Sequence, residues 1–127
     1  MKRKKNSLKW LNKLMKISCE DIIKKYHLEY STTWNFYGLI LYDRPIHFFE
    51  IGKYNYQVRN SIDWEIITLT EGKQTIRMKQ PSFIHIHNTE QLEVHVRTLY
   101  YQFTELVETV KRVKEFNKLK EIEADFK

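Results

Sequence analysis

The chain contains few of the residues that cross-link or interrupt a fold. Its 127 residues include one cysteine, two prolines and three glycines. Because Cys19 has no second cysteine to pair with, an intrachain disulfide is excluded, and a reducing cytoplasm is the expected compartment. The small number of glycines also excludes a glycine-rich phosphate loop. We therefore expect a compact intracellular domain and not a disulfide-stapled secreted one or a disordered tail.

Long apolar runs are also missing. The longest, Phe36 to Tyr42, is too short to span a bilayer. The basic start MKRKK is followed by SLKWLNKLMK, where charged and amide side chains repeatedly interrupt the apolar ones. The sequence thus predicts neither a transmembrane segment nor an export signal.

Positive charge is concentrated at the start of the chain. Residues 1–26 hold nine basic residues against Glu20 and Asp21, a net charge of +7, whereas the other 101 residues hold 13 basic and 14 acidic residues. A block of like charge repels itself, so an anionic partner stabilises it. We predict a nucleic acid as that partner.

The periodicity of the sequence changes twice and predicts one α+β domain over residues 1–127. After a flexible basic tail at residues 1–6, the three-and-four spacing of residues 7–27 predicts helical structure with lysines on one face, either as one helix or as two helices joined near Ser18. Residues 33–87 are rich in β-branched and aromatic side chains, which predicts antiparallel β-structure. Because the connectors are short, we expect a six-stranded meander that curls into a barrel. The predicted strands are 33–42, 46–51, 54–59, 63–70, 73–79 and 82–87, with a hairpin turn at Glu71–Gly72.

Residues 88–126 predict a long closing helix. Asn88 or Thr89 is the expected N-cap, and apolar residues recur with four-three spacing until Asn117 interrupts the pattern. An unbroken helix here would measure about 58 Å, whereas a compact domain of this size is about 36 Å across. We therefore expect either a break near Lys111–Lys118 or a projecting helix that forms a homodimer with a second copy.

No arrangement of residues indicates catalysis. No serine lies in a nucleophile elbow, and His85 and His87, two apart on a predicted strand, have no cysteine or carboxylate at ligand spacing beside them. We expect no metal, no cofactor and no enzymatic activity.

The candidate nucleic-acid-binding residues are the cations of the basic start and three on the sheet. Arg59 is expected on the strand face opposite Tyr56, and Arg77 and Lys79 on the face opposite Ile76. Such side chains bind phosphates while an exposed tyrosine stacks on a base; lone strand cations also serve merely to protect edges. The predicted set is Lys2, Arg3, Lys4, Lys5, Lys9, Lys13, Lys16, Lys24, Lys25, Arg59, Arg77 and Lys79.

The length, the composition and the order of elements, from Ser7 to Phe126, resemble the PrgU family. These are small proteins of pheromone-responsive conjugative plasmids in Gram-positive cocci, with a PUA-like barrel flanked by helices. The resemblance implies a cytoplasmic RNA-binding regulator, with RNA favoured over DNA, that restrains production of a plasmid-encoded surface adhesin. It transfers no catalytic and no binding residues.

Two other functions stay open. Residues from Glu20 onward resemble a winged helix-turn-helix DNA-binding regulator of the excisionase type, with His27–Tyr30 as the turn; this requires a helix at residues 31–40. The second is a protein- or membrane-surface-binding adaptor whose N-terminal helix lies on anionic lipid with Trp10 as its anchor.

Overall fold

The computed structural model describes residues 19–126, which contain two helical segments and seven strands. Helix α1 comprises the described residues 19–25, and helix α2 is Thr89–Asp125. The predicted tail at 1–6 and residues 7–18 of the predicted first helix lie outside the described residues. The strands are β1 (Glu29–Ser31), β2 (Phe36–Leu41), β3 (Arg44–Ile51), β4 (Tyr56–Arg59), β5 (Trp64–Thr68), β6 (Gln74–Met78) and β7 (Phe83–Ile86).

The strands form two antiparallel sheets in an α+β arrangement. Five strands pair in the order β1-β2-β3-β4-β7, and β5 and β6 form a separate hairpin. All six predicted strands are confirmed, and β1 is an additional one. The predicted meander is wrong in two places, because β4 pairs with β7 and neither β4–β5 nor β6–β7 is a pair. Closure of the sheet into a barrel stays a prediction.

The β5–β6 hairpin is separate from the main sheet and packs part of its apolar face against the core. The predicted turn is confirmed: the Leu69 N–H donates to the Lys73 carbonyl at 2.7 Å, and Gly72 has φ +86°. Trp64 and Met78 are cross-strand partners, and both pack against the core. This contact covers part of the apolar face of the hairpin, and β7 takes the place beside β4 in the main sheet.

Helix α2 is continuous for 37 residues, about 55 Å at 1.5 Å per residue. Of the two alternatives, the break near Lys111–Lys118 is therefore wrong, and pairing with a second copy stays a prediction. Asn88 is the N-cap, and its Oδ1 accepts the Gln91 N–H at 2.8 Å.

No helix within residues 19–126 is both long and apolar enough to cross a membrane. The apolar stripe of α2 buries Leu92, Val96, Leu99, Leu106 and Val113.

Helix α1 ends in a left-handed turn. His27 has φ +54°, and the Leu28 N–H donates to the Ile23 carbonyl at 2.9 Å. This six-to-one hydrogen bond is the mark of a Schellman cap. The cap reverses the chain, so that it enters β1 directly.

The helix-turn-helix alternative is wrong in its structural requirement. Residues 31–40, which it needs as a recognition helix, are the end of β1, a turn and most of β2. The aromatic and branched side chains between Trp34 and Tyr42 prefer extended backbone, and Gly38 would further weaken a helix there.

Both helices cover the same face of the five-stranded sheet. The Tyr26 ring of α1 packs against Tyr100 of α2, with centroids 5.4 Å apart. The Phe48 ring of β3 meets Phe103 of α2 edge-on at 6.3 Å. The buried core between the sheet and the helices includes Cys19, Ile22, Phe49, Tyr56, Val58 and Ile86. We call the opposite face, to which Phe36, Gly38 and His47 belong by register, the distal face.

Candidate functional site

Seven of the predicted nucleic-acid-binding residues lie outside the described residues, and the other five differ in their surroundings. Lys24 and Lys79 are exposed. The Lys25 Nζ donates to Glu93 Oε1 at 2.7 Å, and this bond raises the pKa of Lys25 and lowers that of Glu93. The seven residues outside the described part are Lys2, Arg3, Lys4, Lys5, Lys9, Lys13 and Lys16.

The two arginines of the predicted set have partners within the protein. Arg77 forms an ion pair with Glu65, its cross-strand neighbour. Arg59 lies on the distal face as predicted, but it is only 5% exposed, and its Nε donates to the Ser61 carbonyl at 2.8 Å. Burial lowers the pKa of Arg59, and Asp63 partly opposes that effect. Arg59 therefore orders the loop after β4, and a phosphate groove on the sheet would depend on other cations.

The described part of the chain is not cationic. All 16 acidic residues fall within residues 19–126, together with 14 of the 22 basic residues, so that this part has a formal net charge of −2. Seven of the remaining basic residues lie between positions 2 and 16, and the last is Lys127. The excess positive charge of the protein thus resides outside the described residues.

A depression of about 210 Å³ lies on the distal face, over β1, β2 and the start of β3. Glu29 of β1 pairs with Gly38 of β2, and Gly38 pairs with His47 of β3. Because Gly38 has no side chain, this cross-strand row has a gap between Glu29 and His47. The residues around the depression include Glu29, Ser31, Thr33, Phe36, Ile40 and Pro45.

Local backbone geometry requires the glycine that leaves this gap. The β2–β3 register shifts between Tyr37 and Gly38, which marks a bulge. A Cβ atom on Gly38 would overlap the carbonyl oxygen of Ile46. Only glycine allows so close an approach of two backbones, so the bulge and the depression have a common cause.

The β1–β2 turn forms the rim of the depression and exposes a tryptophan. Asn35 has φ +58°, its N–H donates to the Ser31 carbonyl at 2.8 Å, and its Oδ1 accepts the Tyr30 hydroxyl at 3.1 Å. These bonds fix the turn that carries Trp34, which is 65% exposed next to the lining residue Thr33. A large ring is thus held at the rim without being buried.

A row of rings continues across the distal face from the depression. The His47 imidazole stacks on Phe36, with centroids 4.3 Å apart, and meets Phe83 at 4.7 Å. Since β4 lies between β3 and β7, the contact of His47 with Phe83 shows that the sheet curls toward this face.

His47 is held neutral at the centre of this row. Its side chain is 11% exposed, and its Nε2 is 3.8 Å from Glu50 Oε1, too far for a hydrogen bond. Within residues 19–126, Nε2 is buried without a hydrogen-bond partner. Burial, assisted by the charge of Arg59, lowers the pKa of His47 to about 4.

A second, larger groove of about 550 Å³ lies between Trp64 and α2. Its lining includes Glu105, Thr109 and Arg112. The Thr109 hydroxyl already donates to the Glu105 carbonyl at 2.8 Å. The polar groups that this side of the groove presents to a ligand are therefore mainly charged side chains of both signs, such as Glu105 and Arg112. The depression on the distal face combines apolar walls with hydroxyls and one carboxylate, and it is the better-formed site.

The sequence analysis did not single out Glu29, Trp34 or Gly38. One signal was available, because an isolated glycine within a strand of aromatic and branched residues indicates a bulge or a close backbone approach. None of the five described cations of the predicted set, which are Lys24, Lys25, Arg59, Arg77 and Lys79, is among the described residues that line this depression. In the described part of the chain, no group of three or more His, Cys, Asp or Glu side chains is arranged to hold a metal ion.

Comparison of the chain with protein families, with curated proteins and with solved structures finds no match.

Proposed function

We propose that the protein is a non-enzymatic RNA-binding regulator. The observation that carries the proposal is the separation of charge: seven cations and no acid lie between positions 2 and 16, beside a body of net charge −2. Lysine and arginine clustered in this way neutralise phosphates and release counterions, and this supplies most of the affinity for a nucleic acid. Lys24 and Lys79 of the body are exposed and add to this set.

Exposed aromatic rings at one end of the sheet support single-stranded RNA as the partner, rather than a polyanion that is bound by its charge alone. The β1–β2 turn and the β3–β4 turn lie at the same end, because β2 and β3 are antiparallel. Trp34 and Tyr54 are exposed in these turns, and the Lys53 Nζ lies 5.5 Å from the centroid of the Tyr54 ring. Unpaired bases stack on such rings, whereas the bases of a duplex are already stacked on one another.

The proposal has three more specific parts: a PUA-like barrel, a cytoplasmic location and restraint of the production of a plasmid-encoded surface protein. The curl of the distal face, where Phe83 reaches His47 across β4, supports the barrel. The other two parts follow from the resemblance to the PrgU family, and crosslinking in cells followed by sequencing of the bound RNA tests them.

Binding of a labelled single-stranded RNA over about 50 to 300 mM salt tests the proposal. We expect affinity to fall steeply with salt. Changing Lys2, Arg3, Lys4 and Lys5 to glutamine should lower the slope of log K against log salt by about 3 if all four contact phosphates. The matched control changes four lysines of α2 to glutamine: Lys111, Lys114, Lys118 and Lys120. Salt-independent binding, or equal effects of the two sets, would contradict the proposal.

A protein-binding adaptor is the second candidate, and one feature of α2 favours it. Leu119, Ile122 and Phe126 are exposed near its end, and their spacing places them on one side of the helix. A homodimer through α2 would cover them. Sedimentation of the protein and of an Ile122→Glu variant tests this, because a dimer through this stripe should dissociate in the variant.

A further inference from the structure

We propose that the depression on the distal face binds one cytosine base of a single-stranded RNA. This inference rests on the proposed function and goes beyond it by assigning a site and a base. The site is built from residues of β1, β2 and the start of β3, with the backbone of Gly38 beneath the gap between Glu29 and His47.

The size and walls of the depression suit a single flat ring. Its volume of about 210 Å³ is below the range of about 300–1,000 Å³ that holds drug-sized ligands. Phe36 and Ile40 of β2 and Pro45 of β3 supply apolar walls, against which the faces of a base lose little hydration. Trp34, the chain neighbour of the lining residue Thr33, is exposed and is available to stack on a neighbouring base of the strand.

Between the two pyrimidine bases, the polar groups of the lining favour cytosine. The Glu29 carboxylate is an acceptor only, and carboxylates read cytosine through its exocyclic amino group. Uracil presents a carbonyl oxygen at that position, so it would set two acceptors against each other. The Ser31 Oγ accepts the Trp34 N–H at 3.3 Å, which leaves the serine O–H able to donate to an acceptor on the base.

Among the described residues that line the depression there is no cation, which agrees with a site that contacts a base and not a phosphate. Residues of β1, β2 and β3 around the depression contribute one carboxylate, hydroxyls and apolar side chains, none of which carries a positive charge. Phosphate contacts would come from the basic residues, and base selection from the depression. The two contributions can therefore be separated by substitution.

Binding of fluorescent cytidine and uridine octanucleotides, measured by anisotropy at one salt concentration, tests the proposal. We expect the protein to bind the cytidine oligomer about tenfold more tightly, the effect of one hydrogen bond to a charged group. Glu29→Gln should reduce this preference to about twofold or less, since an amide can donate as well as accept. The matched control is Glu71→Gln, which removes an exposed carboxylate from the hairpin turn.

Loss of an apolar wall provides a second comparison. Ile40 is 53% exposed and Ile66, on the hairpin, is 49% exposed, so truncation of either to alanine should leave the fold intact. Ile40→Ala should weaken binding of the cytidine oligomer several-fold, whereas Ile66→Ala should not change it. Titration with cytidine monophosphate should also shift the backbone amide signals of Ser31, Gly38 and Ile40 more than uridine monophosphate does.

The outcomes separate this inference from the proposed function. If the protein binds both oligomers equally, or if Glu29→Gln and Ile40→Ala behave like their controls, the cytosine site is wrong while RNA binding stands. If the protein binds neither oligomer at low salt, the proposed function is wrong, and the cytosine site is wrong with it.

Discussion

The side-chain amide of Asn117 is hydrogen-bonded to both backbone groups of Gln74. Its Nδ2 donates to the Gln74 carbonyl, and the Gln74 N–H donates to its Oδ1, each at 2.8 Å. The amide therefore does for the first residue of β6 what a neighbouring strand would do. Lys73 and Glu121 form an ion pair at 3.0 Å beside it. These contacts attach the hairpin to α2.

Asn117→Ala should weaken this attachment. Two hydrogen bonds of about 0.5–1.5 kcal/mol each are lost, and the Gln74 groups are left without partners. We expect the free energy of unfolding, measured by urea denaturation, to fall by about 1–3 kcal/mol. Hydrogen exchange at the Gln74 amide should also become faster. Asn60→Ala, at an exposed position, is the matched control, and equal stability of the two variants would contradict this role.

Asn117 also shows where sequence periodicity succeeds and where it fails. The strands, the Glu71–Gly72 turn and a helix cap at Asn88 or Thr89 are predicted correctly because each depends on residues a few positions apart. Asn117 was interpreted as an interruption of the helix pattern, although it is the residue that holds the hairpin. The attachment of the hairpin joins positions 43 residues apart, and the pairing of β4 with β7 is also non-local, so no local pattern predicts either of them.

The candidate functional residues also differ in how far the sequence predicts them. The basic start is a property of composition, so the sequence shows it directly. The depression depends on register, because Glu29, Gly38 and His47 form one row only once three strands are paired. Alternation placed Arg59 on the correct face, but the burial of its guanidinium depends on the loop that follows β4. The sequence therefore predicts which face of a strand a side chain occupies, but it does not predict which side chains lie next to it on that face.

Gly38→Ala should be far more damaging than Gly72→Ala. A methyl group at position 38 would overlap the Ile46 carbonyl, whereas one at position 72 would meet no atom within 4 Å. We expect urea denaturation to show a loss of about 3 kcal/mol or more for Gly38→Ala. Gly72 has φ +86°, so Gly72→Ala should cost about 1–2 kcal/mol in backbone strain. Similar losses for the two variants would mean that the β2–β3 approach is less close than described.

The Cys19 thiol should be unreactive in the folded protein. It is fully buried, and burial, together with the charge of Glu20, raises its pKa to about 12. Near pH 8 only about one thiol in ten thousand would be ionised, and the thiolate is the reacting form. We expect no reaction with a disulfide reagent until urea unfolds the protein, at the midpoint that circular dichroism reports. Rapid reaction under native conditions would contradict the packing of α1 against the core. A Cys19→Ala variant, which has no thiol, is the control.

Stability should fall as the pH drops below the ordinary pKa of histidine, and His47 should account for part of that fall. Because the folded-state pKa of His47 is about 4 and the unfolded value is about 6.5, the unfolded chain binds more protons between these values. Stability is therefore complete above about pH 6.5 and is lost progressively toward about pH 4. Arg59 opposes a second positive charge on this face, and Glu50 lies 3.8 Å from Nε2.

Replacement of His47 by phenylalanine isolates this contribution. The substitution keeps an aromatic ring between Phe36 and Phe83 while removing the titrating group. Between about pH 7 and about pH 4.5, the free energy of unfolding of the native sequence should fall by about 2–3 kcal/mol more than that of His47→Phe. His87→Phe, at an exposed position, should retain the native pH dependence. If the free energy of unfolding falls equally with pH in His47→Phe and in the native protein, burial does not lower the pKa of His47 as described.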